Sequence, residues 1–70
     1  MNFKQGDIVK HINDKVHLII MVTGNGFAAS SFGGIVLISD NVQVPPGKSS
    51  LSFTANQYEL VHAKLRLELL

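Results

Sequence analysis

The hydrophobic pattern of this chain is one of short strands separated by turn residues. The longest run is Lys15-Val16-His17-Leu18-Ile19-Ile20-Met21-Val22-Thr23, closed by Gly24-Asn25-Gly26. Successive side chains of a strand point to opposite faces. Val16, Leu18, Ile20 and Val22 therefore share one face, which is wholly apolar and is expected to meet the core. Lys15, His17, Ile19, Met21 and Thr23 share the other, mixed face. Ile19 and Met21 on it have two readings: a curved sheet or the chain tail covers them, or they form a partner surface.

Shorter strands surround this run. Phe3 is the expected anchor of the lead-in, and Gly6-Asp7 is turn chemistry. Ile8 to Ile12 is β-branched and bounded by turn residues, which predicts a first strand. Asn13-Asp14 predicts a two-residue hairpin loop, because both residues tolerate the left-handed conformation. That register sets His11 opposite Val16 and Lys10 opposite His17. Ala28 to Ser31 holds only small residues and reads as a loop or a poorly formed strand. Phe32 to Ser39 reads as a third strand, with Gly33-Gly34 predicting a bulge or bend near its start. Apolar residues on both faces of Ile35 to Ile38 predict that it is covered on both sides.

Asp40 to Ser49, with Pro45-Pro46-Gly47 at its tip, is an exposed loop by composition. Ser50 to Thr54 follows as strand four, with Leu51 and Phe53 inward. Ala55-Asn56-Gln57 has the length of one helical turn, and Tyr58 to His62 is strand five. The tail, Ala63 to Leu70, allows two structures. Leu65, Leu67 and Leu69 alternate with charged residues, as in an edge strand. Val61, Leu65 and Leu69 also lie on one helical stripe, and every tail residue is a good helix former. The strand reading is preferred. In either form the leucines need cover, since an unpaired apolar edge promotes association.

Seventy residues make one domain. The expected division is residues 1–62 as a β-domain and 63–70 as a tail. A domain of this size buries only about 60% of the surface its unfolded chain exposes. Small folds commonly gain support from disulfides, a metal or a partner subunit. The chain has no Cys, which removes disulfides and thiolate metal sites. With 46% apolar and 16% charged residues, it carries more apolar side chains than a small core can absorb, so self-association is expected. The net charge of +1 predicts no strong field toward nucleic acid or anionic lipid. No run of eighteen apolar residues occurs, so no membrane span is expected. The opening Met-Asn-Phe-Lys-Gln-Gly-Asp is too polar for the apolar core of a signal peptide, which makes the cytoplasm the default expectation.

Five strands, a tight first hairpin, a long loop before strand four and a helical turn before strand five predict an all-β fold, a small five-stranded SH3-like barrel with a Leu-rich tail. Phe3-Lys-x-Gly6-Asp7-Ile8-Val9, Met21-Val22-Thr23-Gly24, Phe32-x-Gly34-Ile35-Val36-Leu37 and Tyr58-Glu59-Leu60-Val61 resemble a group of small, mostly uncharacterised bacterial and phage proteins. Those proteins open on a Gly-Asp-x-Val strand, close on a Glu-Leu-Val strand and are SH3-like barrels. The resemblance spans roughly residues 3–62 and implies a fold, with no catalytic residue to carry over. Gly6-Asp7-Ile8-Val9 also resembles the start of the messenger-RNA-cleaving toxin barrels. The basic residue expected soon after their first strand has no equivalent here.

Candidate chemistry is sparse. His11, His17 and His62 lack metal-ligand spacing and read as ordinary surface histidines, so no metal or cofactor is expected. Ser30-Ser31 and Ser49-Ser50 sit in no nucleophile elbow, and no base at a suitable spacing activates them. Gly24-x-Gly26 precedes no helix, so it reads as a turn instead of a phosphate cradle. These readings predict a non-enzymatic interaction or assembly module that meets a protein partner or itself. Its candidate interface residues are Ile19, Met21, Leu65, Leu67 and Leu69. A second reading is a weak nucleic-acid-binding barrel. It would use Lys10, His11, Lys15 and His17 on the first hairpin, with Phe27 and Phe32 as stacking rings.

Overall fold

A computed structural model of the chain describes residues 3–62. The fold is all-β: β1 (Ile8–His11), β2 (Leu18–Asn25), β3 (Ser31–Ser39), β4 (Ser49–Thr54) and β5 (Tyr58–His62), with a 3-10 turn at Ala55–Gln57. The strands form one antiparallel sheet in the order β4-β3-β2-β1-β5. Among the described residues β4 and β5 are its edges, and no ladder joins them to close the sheet.

The turns follow from local chemistry. Gly6 has φ +93° and lies third in the turn Lys4 to Asp7, whose Asp7 N–H donates to the Lys4 carbonyl at 3.0 Å. A positive φ there suits glycine. The Asp7 carboxylate accepts from the Lys4 N–H at 2.9 Å, and the side chain is buried. Gly6 N–H and Asp7 C=O then bond both backbone groups of Val22, which locks the lead-in onto β2. Pro45-Pro46-Gly47-Lys48 makes a second turn of this kind, with Gly47 at φ +91°.

The core lies on one side of the sheet. Val9, Ile20 and Val36 are direct neighbours across β1, β2 and β3, and all are at most 1% exposed. Leu18, Val22 and Phe32 complete the buried cluster, with Phe3, Val44, Phe53, Ala55 and Tyr58 packed against it. Phe32 is its aromatic centre. Phe3 and Tyr58 meet it edge-on at 5.4 and 5.3 Å between ring centroids, and Phe53 stacks on it at 5.5 Å.

Three expectations need correction. The first hairpin is wider than a two-residue loop, because Ile8 pairs with Met21, Val9 with Ile20 and Lys10 with Ile19. Asn13 explains this. Its side-chain oxygen accepts from the Lys15 N–H at 3.0 Å and its carbonyl from the Val16 N–H at 2.9 Å, so Asn13–Val16 is a turn of its own. Val16 is left exposed instead of inward. Second, the second half of β3 is not covered on both sides, with Leu37 and Ile38 at 41% and 56% exposure. Third, Leu51 faces outward over Gly33, because the β3–β4 register slips between Phe32 and Gly34. Both ladders slip at the expected glycine pair, with the extra residue on β2 and on β4 opposite it, and slips of this kind bend the sheet.

Candidate functional site

The face of the sheet opposite the core also carries a group of apolar residues. Directly opposed residues in an antiparallel ladder lie on the same face. One outer row therefore runs Ile8, Met21, Ile35, Ser49, and a second runs Glu59, Lys10, Ile19, Ile38. Ile8 is buried, Ile19, Met21 and Ile35 are half-buried, and Ile38 is exposed. Ile19 and Met21 thus share one face with Ile35 and Ile38, partners that the sequence pattern did not single out. They escape notice because the bulge at Leu37 shifts the period: Ile20 pairs with Val36 while Ile19 pairs with Ile38. The candidate interface residues Leu65, Leu67 and Leu69 lie outside the described residues.

At the Leu18 end of β2 this face deepens into a cleft of about 200 Å³. Val16, Leu18, Ile19 and Ile38 give it an apolar lining, and Lys10, His11, Asp14 and His17 bring polar groups to it. Those polar groups are partly committed. The Lys10 ammonium lies 3.5 Å from the Glu59 carboxylate in a half-exposed ion pair. His11 Nδ1 accepts from the Asn13 N–H at 3.1 Å, so a neutral His11 carries its proton on Nε2. Its ring meets Tyr58 edge-on at 5.3 Å.

The six residues of the nucleic-acid reading separate into different places. Lys10, His11 and His17 meet at the cleft, and Lys15 is exposed on the adjoining turn. Phe27 is 85% exposed, beyond the opposite end of β2. Phe32 is 0% exposed at the middle of the core, so it offers no face to a base. Among the described residues, no group of three or more His, Cys, Asp or Glu is placed to hold a metal ion. No helix among them is long and apolar enough to cross a membrane. Comparisons with family models, curated proteins and solved structures give no match for this chain.

Proposed function

We propose that this chain is a non-enzymatic interaction or assembly module of SH3-like barrel type, and that it self-associates through the outer face of β1, β2 and β3. The strand order and the 3-10 turn leading into β5 support the barrel assignment. The observation that carries the function is the second apolar face: Ile19, Met21, Ile35 and Ile38 lie together on the side of the sheet away from the core. Apolar residues grouped in this way on a small domain mark a protein-binding surface more often than a bare surface. Sedimentation velocity over a wide concentration range tests this. Self-association is expected, and Met21→Lys, at the middle of the face, is expected to weaken it. A chain that sediments as a monomer at every concentration would sink the reading.

The nucleic-acid reading draws on exposed Phe27, Lys15 and the cleft histidines. It has less to work with than the sequence suggested, since Phe32 is buried and Lys10 is paired with Glu59. Amide spectra with short mixed DNA and RNA at two salt concentrations decide it. Shifts on residues 10–17 that vanish with salt would support binding.

A further inference from the structure

The cleft and the Phe27 ring are complementary features at opposite ends of one strand. β2 runs from Leu18, which lines the cleft, to Asn25, two residues before Phe27. Eight extended residues span on the order of 25 Å, so a chain cannot fill its own cleft with its own Phe27. The geometry points to a head-to-tail contact in which Phe27 of one copy seats in the cleft of a second copy, between Val16, Ile19 and Ile38. This rests on the self-association proposed above and adds one contact at the cleft end of that face, where Ile19 and Ile38 belong to both.

Three observations select a second copy as the occupant. The first is size. A cavity of about 150 Å³ is enough to take up benzene, and this cleft measures about 200 Å³. The second is presentation. Phe27 is 85% exposed, yet its backbone is tied down. Its N–H donates to the Leu51 carbonyl at 3.0 Å. In the turn that follows, the Ala28 N–H donates to Ser31 Oγ at 2.9 Å and the Ser31 N–H donates to the Ala28 carbonyl at 3.1 Å. A ring held out on a braced turn has less ordering entropy to lose on docking. The third is charge. The residues flanking Phe27, from Gly24 to Ser31, are all uncharged, so nothing on the knob opposes Lys10, Asp14 or the histidines at the cleft. Because donor and acceptor surfaces differ, the contact is heterologous: copies add in one direction until they close a ring or extend a filament.

The test is sedimentation velocity on the full chain and two exposed-site variants. Phe27→Ser removes the knob and keeps the cleft, whereas Ile38→Glu spoils the cleft and keeps the knob. Wild-type chain is expected to form species larger than a dimer as concentration rises. Each variant alone is expected to associate at least about tenfold more weakly, as befits a central aromatic anchor and its pocket. An equimolar mixture of the two is expected to form a two-chain species and nothing larger, because only one knob and one cleft survive per pair. Amide spectra of each variant confirm that it folds. The inference is overturned if Phe27→Ser associates like wild type, or if the mixture of folded variants stays monomeric. If Phe27→Ser associates normally while Met21→Lys does not, the outer-face reading stands and only the knob fails. A monomeric wild type removes both.

Discussion

Gly34 shows how little room the inner face of the sheet leaves. A side-chain carbon placed there would run into Ile20 Cγ2 and lie 3.0 Å from the Met21 carbonyl. Gly34→Ala must therefore push β2 and β3 apart or force Ile20 off its rotamer. Overpacking of this kind costs about 1–3 kcal/mol. A urea unfolding midpoint equal to wild type would contradict the close approach. Asp7 is the polar counterpart. Replacing it with Ala removes the acceptor of the Lys4 N–H at a buried position, at a cost of about 1–3 kcal/mol. In a domain of this size each kcal/mol lowers Tm by roughly 4–8 °C, so calorimetry reads the loss directly. Burial raises the Tyr58 pKa above the ordinary value of 10.0. The unfolded chain then gives up its phenolic proton first, and the fold loses stability as pH climbs above about 10 toward the folded pKa. Below that range Tyr58 adds no pH dependence. Unfolding midpoints at about pH 9 and about pH 11 should differ more for wild type than for Tyr58→Phe. Equal slopes would place the ring in a more watery setting than its contacts with Phe32 and Phe53 suggest.

At the scale of elements, stability should grade from the sheet centre outward. Val22 N–H donates to the Asp7 carbonyl and Val36 N–H to the Lys48 carbonyl, each at 2.8 Å and each at a fully buried residue. Their amides are expected to exchange only through global unfolding. The amides of Ala29 and Val42, in exposed connections, should exchange in the fastest class. Slow exchange at Val42, or fast exchange at Val22, would reverse the assigned centre of the fold. The same grading explains what could be read from sequence. Five strands and the 3-10 turn are legible because β-branched runs and turn residues act locally. The register of β1 on β2 is not, because Asn13 builds an extra turn that hydrophobic spacing does not reveal. The outer face was half legible. Alternation places Ile19 and Met21 on it, but the bulge at Leu37 hides Ile38 from any strict period of two. Phe27 and Phe32 look alike in sequence, yet one is 85% and the other 0% exposed. β2 ends at Asn25, so Phe27 falls in the connection, whereas Phe32 lies within β3.

For the whole molecule, the unusual feature is a small sheet with apolar residues on both faces and a single core. The core takes Val9, Leu18, Ile20, Val22, Phe32 and Val36, and among the described residues several large apolar side chains stay largely in water. Ile38, Leu37, Leu51 and Phe27 are all more than 40% exposed. A net charge of +1 gives little repulsion to keep copies apart. The self-association proposed above would bury surface that folding leaves open, and it would bind the folded state in preference to the unfolded one. On that reading linkage raises Tm with protein concentration, by an amount that grows once concentration exceeds the dissociation constant. Ile38→Glu should abolish that rise while leaving the dilute-limit Tm close to wild type, because Ile38 contributes to the outer face and not to the core. Calorimetry over a hundredfold range of concentration checks both halves. A wild-type Tm that does not move with concentration would mean that the exposed aliphatic face is tolerated by a monomer. A dilute-limit Tm that falls sharply in Ile38→Glu would mean instead that this residue supports the fold itself.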